Sequence, residues 1–288
     1  MAACKVYILY SSSAPLFGFK VFIEPLSDVH RGLMYALSMQ FLSPTQLLDY
    51  TEGRPRSCES VYCDLWLLSA RVDIPERAAL EELLSTDEKA RAGGFRFEED
   101  RVRSIVARAG LRQILSSYCC TPPRELQFHT ASHGKPALIG PYPALEFNVS
   151  HSGDCVLIAV TSGVPCGVDI EQGRPNTAEF SIAAKFFCPR EVEWLSHTES
   201  GFLRLWATKE AIIKAVGHGL SIPLSDVDVT DVVEGKTSSI TLRTPGMEPQ
   251  MLWPKELSLV PNYAAAVATG GEERTVRLMP DQSGPSLL

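Results

Sequence analysis

Gly167-Val168-Asp169-Ile170-Glu171 predicts a β-strand with two different faces. Side chains alternate along a strand, so Asp169 and Glu171 project to one side while Val168 and Ile170 point to the other side, into a core. Two carboxylates held on one rigid strand face can bind a single cation together. Taken alone, the same pattern is also typical of a polar strand face that is open to water, and that alternative stays open for the isolated motif.

A second charged motif lies in a predicted helix, Phe202–Val216, which Gly217 is placed to end. Glu210 and Lys214 are four residues apart and therefore share one helix face. Such a pair is often a surface ion pair worth a few tenths of a kcal/mol, roughly 0.2–0.5. We expect Lys209, Glu210 and Lys214 to present their charges at one end of an otherwise apolar helix. A carboxylate ligand beside a phosphate-binding ammonium would use that arrangement.

The third motif is the strand end and turn Phe147-Asn148-Val149-Ser150-His151-Ser152-Gly153. An apolar run, Val156–Val160, follows it, and the turn residues Ser162–Pro165 then lead into the Cys166–Glu171 strand. The pattern predicts a hairpin between these last two strands, which would join the third motif to the first. A lone histidine in a turn is more often structural than functional.

Composition bounds the class of protein. The chain has 288 residues, 45% hydrophobic and 21% charged, with a formal net charge of -7, so we expect a folded protein that does not bind nucleic acid through its bulk charge. No run of 18 apolar residues exists, so no membrane span is expected. The eight cysteines never fall at C-x-x-C spacing, which disfavours a zinc site and favours reduced thiols. We therefore expect a cytoplasmic protein.

One segment is locally basic. Lys89–Arg112 contains seven basic and three acidic residues, and is therefore a candidate surface for an anion. Apolar residues recur within Glu98–Tyr118 at helical spacing, which predicts a long helix with its arginines largely outside the buried face.

The chain divides into four predicted parts. Residues 1–57 form an N-terminal extension of unknown role, and residues 58–162 form a first lobe. Residues 163–270 form a second lobe that carries the carboxylates. Residues 271–288 are expected to be a loose C-terminal tail.

The three motifs in this order resemble the 4′-phosphopantetheinyl transferases, of the large two-lobed type that activates surfactin synthetase. The resemblance covers Val61–Ala268 and rests on N-V-S-H-S, G-V-D-I-E and W-x-x-K-E-x-x-x-K. A following G-x-G-L-x-x-P, here Gly217–Pro223, also matches. The combination is far more specific than any one motif.

The resemblance implies an α+β fold of two similar α/β lobes, a pseudo-dimer in one chain. Each lobe would be a small antiparallel sheet packed on helices, with the active site in the cleft between them. It further implies a monomeric enzyme, a holo-carrier-protein synthase, that transfers 4′-phosphopantetheine from coenzyme A to a serine of an apo acyl or peptidyl carrier protein, releasing adenosine 3′,5′-bisphosphate. Two alternatives stay open on the same fold: a Mg²⁺-dependent phosphohydrolase, and a noncatalytic protein that binds coenzyme A or a carrier.

The resemblance also implies roles for individual residues. Asp169, Glu171 and Glu210 would bind Mg²⁺ with the diphosphate oxygens, and Glu210 would take the serine proton. Lys214 would neutralise the transferred phosphoryl group. The residues implied in coenzyme A binding are Arg91, Arg103, Gly134, Lys135, Pro136, Ser150 and His151.

Two points depart from the family pattern. Glu88 falls where the pattern has a basic residue, which leaves the phosphate contacts of the first lobe open. Residues 1–57 have no counterpart in the pattern, and we expect their deletion to leave transfer unchanged.

Overall fold

Two sheets, each packed on helices, organise the described chain. The protein is described from a computed structural model covering residues 41–43, 46–47, 51, 56–130, 134–142, 144–173, 179–243 and 248–279. Predictions for residues 1–40 and 280–288 lie outside the described residues. Both lobes belong to the unit Phe41–Leu288.

The first lobe is built on a four-stranded sheet and one long helix. Its elements are β1 (Tyr62–Ser69), α1 (Ile74–Glu81), α2 (Thr86–Gly93), α3 (Glu98–Cys119), β2 (Gln127–Thr130), β3 (Pro136–Ile139), β4 (Leu145–Ser152) and β5 (Cys155–Ser162). The predicted long helix is confirmed as α3, whose apolar side packs with β1 and β5 in one core. Strands β2 and β3 form a separate two-stranded antiparallel sheet.

The second lobe repeats the plan of a sheet against a helix. Its elements are β6 (Cys166–Gln172), α4 (Glu179–Phe186), α5 (Pro189–Ser196), α6 (Phe202–Val216), α7 (Thr230–Val233), β7 (Ile240–Leu242), β8 (Gln250–Leu257) and β9 (Tyr263–Gly270). The sheet order is β6-β9-β8-β7, antiparallel throughout. Helix α6 has the predicted bounds, and Gly217 ends it with φ 78°.

The predicted α+β fold of two sheet-and-helix lobes is confirmed, with one correction to the first sheet. That sheet has the order β10-β1-β5-β4, and β10 (Thr275–Met279) pairs in parallel with β1. Part of the expected loose tail is therefore a strand of the first lobe. Buried Asp64 of β1 accepts hydrogen bonds from Arg277 at 2.8 and 3.1 Å and from the Tyr118 hydroxyl at 2.6 Å, which stabilises this edge.

The predicted hairpin between Val156–Val160 and Cys166–Glu171 is wrong. Strand β5 pairs with β1 and β4, whereas β6 begins the sheet of the second lobe. The turn at Gly163 therefore carries the chain from one sheet to the other. Its sequence favoured a turn, but no local signal could show that the next strand would pair with β9 instead of β5.

Two segments of the second lobe depart from regular strand pairing. The run Val227–Val229 is strand-like in sequence, but it lies outside any strand, between the 3₁₀ turn Leu224–Asp226 and α7. Strand β8 contains a proline, Pro254. Proline is tolerated there because β7 pairs only with Gln250–Leu252, so the rest of β8 is an edge where no partner needs the missing N–H.

The N-terminal boundary expected at residue 57 is also wrong in part. Leu42 bridges to Leu68, and its N–H donates to the Leu67 carbonyl at 3.2 Å. Leu47 is fully buried in the core of the first lobe. The described residues between 41 and 57 thus pack on the first lobe.

We therefore predict that Leu47→Ala destabilises the protein by about 2–5 kcal/mol, because it leaves a cavity in a closed core. Chemical or thermal unfolding measures this loss, with Val61→Ala as the control, since Val61 is 54% exposed. Deletion of residues 1–57 is also expected to lower the stability of the protein, because it removes Leu42 and Leu47. Deletion of residues 1–40 keeps both residues. Equal stability of the Leu47→Ala and Val61→Ala variants would contradict this packing.

Candidate active site

The carboxylate of Asp169 is buried and only partly satisfied. It is 2% exposed, and its Oδ1 accepts hydrogen bonds from the Ser150 hydroxyl at 2.8 Å and from Lys214 Nζ at 2.5 Å. Its Oδ2 is buried without a hydrogen-bond partner among the described residues. Buried polar atoms normally have a partner, so an orphaned carboxylate oxygen marks a place where a positive group belongs. Glu171, two residues on, accepts from Ser152 at 2.8 Å.

Close contact between β6 and α6 brings the strand carboxylates to the helix. A Cβ atom placed on Gly167 would lie 2.1 Å from the Ala211 carbonyl oxygen and 2.3 Å from the Ala215 nitrogen. The backbones of strand and helix are therefore nearly in contact at this point. Only glycine allows that approach, and the approach places Asp169 beside Lys214 on the helix.

Glu210 shares the electrostatic field of the two strand carboxylates. Burial raises the pKa of Glu210, and the negative charges of Asp169 and Glu171 raise it further, while Lys214 lowers it. The three carboxylates predicted from sequence are thus close enough to repel one another. The oxygens of these three carboxylates do not all lie within 4.8 Å of one another. Among the described residues, the ligand atoms of Cys188, Glu191 and Asp228 do.

Strand β4 reaches β6 across the two lobes through its side chains. The N–H groups of Val168, Ile170 and Gln172 donate respectively to Asn148 Oδ1 at 2.9 Å, Ser150 Oγ at 3.4 Å and Ser152 Oγ at 3.1 Å. Each donor lies 20 positions after its acceptor, so the two edge strands run parallel. We call this set of contacts the β4–β6 ladder. Asn148 and Ser152 were not among the predicted site residues, although the N-x-S-x-S alternation was a visible signal.

His151 lies near the end of this ladder, within the electrostatic field of Arg103. Desolvation lowers the pKa of His151, and the charges of Arg103 and Lys214 act in the same direction. Arg103 pairs with Asp100 at 3.4 Å, yet its Nε is buried without a partner among the described residues. A cleft of about 780 Å³ is lined by Arg103 and Gly153 of the first lobe and by Gln172 of the second. The cleft lining also includes Arg71 and the carboxylates of Asp73, Glu98, Glu99 and Asp154, so it carries both signs of charge.

Among the other predicted coenzyme-binding residues, Lys135 has structural partners. Lys135 donates to the Cys166 carbonyl at 2.9 Å, where β6 begins, and lies 3.8 Å from Glu146. Its neighbours Gly134 (φ 89°) and Pro136 lead into β3. Arg91 is exposed in the last turn of α2.

Comparison with known proteins identifies the family. A family model described as 4′-phosphopantetheinyl transferase superfamily matches residues 165–268, and one described as 4′-phosphopantetheinyl transferase, N-terminal, matches residues 75–163. The 4′-phosphopantetheinyl transferase HetI of Nostoc sp. is 36% identical over 220 residues, which cover 72% of this chain and 87% of that protein. The chain belongs to the 4′-phosphopantetheinyl transferase superfamily.

Further relatives agree with this assignment. The 4′-phosphopantetheinyl transferase psf-1 of Bacillus pumilus is 34% identical over 195 residues, covering 66% of this chain and 80% of that protein. The 4′-phosphopantetheinyl transferase Sfp of Bacillus subtilis is 32% identical over 168 residues, covering 57% and 73%. The protein is a 4′-phosphopantetheinyl transferase, which transfers phosphopantetheine from coenzyme A to carrier proteins. The hydrolase and noncatalytic alternatives find no support.

Lys209 of this transferase is a core residue, which corrects the expectation that it shares the charged end of α6. It is fully buried, lies 2.6 Å from buried Glu191, and donates to the carbonyls of Leu224 and Val227 at 2.8 and 2.5 Å. Consecutive helix residues point about 100° apart, so Lys209 leaves the face shared by Glu210 and Lys214. The first lysine of W-x-x-K-E therefore stabilises the second lobe.

Glu88 of the transferase is likewise structural. Its carboxylate accepts from Arg112 at 2.8 and 3.1 Å and lies 3.3 Å from Arg108. Burial raises the pKa of Glu88, but its bonds to Arg112 and Ser85 outweigh that effect and lower it. The expectation that the α3 arginines lie largely outside the buried face is wrong for Arg112, which is 3% exposed. Part of the basic segment is therefore neutralised within the fold.

The Cys188, Glu191 and Asp228 cluster is also occupied by protein contacts. Lys209 neutralises Glu191, and Asp228 accepts two hydrogen bonds from Thr230. Cys188 precedes α5 and belongs to its capping box. We interpret this cluster as a helix-terminal structure of the second lobe.

Proposed function

We propose that Asp169, Glu171 and Glu210 hold Mg²⁺ against the diphosphate of coenzyme A in this transferase. The observation that carries the proposal is the orphaned, buried Oδ2 of Asp169, together with the negative charges of Asp169 and Glu171 that raise the pKa of Glu210. An all-oxygen donor set suits Mg²⁺, which binds through one or two carboxylates together with substrate phosphates. When bound, Mg²⁺ supplies charge stabilisation for the phosphoryl oxygens.

The side chains around the reacting phosphorus then have separate tasks. The serine oxygen of the carrier attacks the β-phosphorus of coenzyme A, and the bond to the bridging oxygen breaks, so that adenosine 3′,5′-bisphosphate leaves. Glu210 takes the serine proton, and its raised pKa suits a general base. Lys214 neutralises charge on the transferred group, and its pairing with Asp169 at 2.5 Å keeps the ammonium at the site.

A second set of residues binds the nucleotide end of coenzyme A. We propose that His151 and Ser150 contact a phosphate, with Arg103 and Arg91 completing a basic surface on the first lobe. The buried, unpartnered Nε of Arg103 supports its role. Gly134, Lys135 and Pro136 line the nucleotide pocket in this proposal. Because Lys135 already donates to the Cys166 carbonyl, it also ties that pocket to the strand that carries Asp169.

The wider setting is proposed from the same chain. We propose a cytoplasmic monomer whose lobes meet near residue 163 and whose partners are coenzyme A and an apo acyl or peptidyl carrier protein. The seven described cysteines are free thiols, as expected in a reducing compartment. No helix among the described residues is long and apolar enough to cross a membrane. We retain the expectation that the partners do not include nucleic acid.

Mass spectrometry tests the proposal directly. We expect incubation with coenzyme A, Mg²⁺ and an apo carrier protein to add one phosphopantetheine to a carrier serine, and we expect a chelator to prevent the addition. The matched control is a carrier with that serine changed to alanine. Release of nucleotide without the protein adduct, or full transfer in excess chelator, would contradict the proposal.

A further inference from the structure

The β4–β6 ladder places one asparagine and two serines of β4 against alternate backbone N–H groups of the acidic strand. Asn148 lies opposite Gly167 and Val168, where there is no carboxylate, and it only accepts a hydrogen bond from the Val168 N–H. Ser152 lies opposite Glu171 and Gln172, where it accepts from the Gln172 N–H at 3.1 Å and donates to Glu171 Oε2 at 2.8 Å.

Ser150 repeats the arrangement of Ser152 one step earlier. It accepts from the Ile170 N–H at 3.4 Å and donates to Asp169 Oδ1 at 2.8 Å. A hydroxyl group has one proton to donate and lone pairs that accept, so a serine can hold the strand backbone and orient a carboxylate at the same time. An aliphatic side chain at these positions can do neither.

The ladder also supplies hydrogen-bond acceptors to an edge strand. Strand β6 is at the edge of its sheet, with β9 on its only paired side. Its outward N–H groups need acceptors from outside the sheet, and alternate side chains of β4 provide them. The turn after β4 continues the contact, because the Asp154 N–H donates to the Tyr263 hydroxyl at 3.2 Å.

We infer that Ser152 is a positioning residue for the transfer reaction: through the ladder, the first lobe orients the carboxylate of Glu171 in the second lobe for cation binding. This inference rests on the proposed metal site. Ser152 touches no reacting atom; it acts through Glu171 and the Gln172 backbone. Hydrogen-bond partners of metal ligands typically change metal affinity about 10- to 100-fold when removed.

The test compares Ser152→Ala with Ser152→Thr, which restores a hydroxyl, and with Ser162→Ala, a half-buried serine at the end of β5. Hydrogen exchange of the Gln172 amide is measured without added metal, and Mn²⁺ binding is measured by electron paramagnetic resonance. We expect Ser152→Ala to exchange this amide at least about tenfold faster and to bind Mn²⁺ about tenfold more weakly. Ser152→Thr and Ser162→Ala should resemble the unmodified enzyme.

If Ser152→Ala does not fold, Ser152→Val, which has the shape of threonine without its hydroxyl, takes its place, and Asn148→Ala is the control variant within the ladder. In Asn148→Ala we expect faster hydrogen exchange of the Val168 amide and less than about a threefold change in Mn²⁺ affinity, because Asn148 contacts no carboxylate. Unchanged Mn²⁺ binding in folded Ser152→Ala overturns the positioning role, whether or not its amide exchange changes. Equal losses of Mn²⁺ binding in Asn148→Ala and Ser152→Ala also overturn it. Failure of the metal site itself is distinguishable, since Asp169→Ala would then bind Mn²⁺ normally.

Discussion

Asp169→Ala and Glu210→Gln are each expected to reduce transfer at least about 10³-fold, the size of loss seen when a group that stabilises transition-state charge is removed. Asp169 supplies a buried carboxylate oxygen that lacks a partner among the described residues, and Glu210 supplies both a carboxylate ligand and the proposed base. Neither change removes much core volume. Glu210→Gln in particular keeps the side-chain shape and removes only the charge.

The measurement is the rate of phosphopantetheine addition to an apo carrier protein, with circular dichroism to verify folding. Glu193→Gln is the matched control, because Glu193 is an exposed helical glutamate of the same lobe. We expect that control to retain full activity. Transfer at the unmodified rate in either Asp169→Ala or Glu210→Gln would show that the metal site is assigned to the wrong residues.

Gly167→Ala is the second change with a large expected effect. The added methyl group would lie 2.1 Å from the Ala211 carbonyl oxygen and 2.3 Å from the Ala215 nitrogen, and backbone atoms cannot rotate away as a flexible side chain can. Overpacking of a core typically costs about 1–3 kcal/mol, and contact with two backbone atoms belongs at or above the upper end of that range. For a protein of this size, about 3 kcal/mol corresponds to a fall in Tm of roughly 6–12 °C.

Activity should fall together with stability in Gly167→Ala, because the displaced strand carries Asp169 and Glu171 away from α6. Gly93→Ala is the control: a Cβ atom at Gly93 meets nothing within 4 Å, and its backbone is helical. Thermal unfolding and the transfer assay should separate the two variants clearly. A Gly167→Ala protein with unchanged Tm and rate would contradict the close packing of β6 on α6.

Short-range patterns predicted the elements that carry the chemistry. Alternation from Cys166 to Glu171 identified β6 and the common face of its two carboxylates, and 3.6-residue spacing identified α6 with Glu210 and Lys214 on one face. These predictions succeeded because side-chain direction within a strand or helix follows from local backbone geometry. The resemblance built on the motifs then identified the transferase family correctly.

The burial and the partners of residues within one motif depend on what packs around them. Lys209 and Lys214 belong to the same W-x-x-K-E-x-x-x-K pattern, yet Lys209 is buried against Glu191 and Lys214 reaches Asp169. Helical geometry shows that the two lysines point in different directions, but it does not show which direction faces a core. That distinction depends on the packing of α5 and of the residues around Val227 against α6.

By itself the sequence determined the two long helices, the strands that carry the motifs, the common face of the two strand carboxylates and the family. Only the tertiary structure decided that β10 returns 213 positions along the chain to pair Arg277 with Asp64, that β5 and β6 separate into two sheets, and that Asn148, Ser150 and Ser152 serve β6 across the lobes. The physical reason is the range of the forces involved. Backbone geometry and side-chain periodicity act over a few neighbouring residues, whereas the partner of an edge strand is chosen by which buried surfaces meet when the whole chain folds.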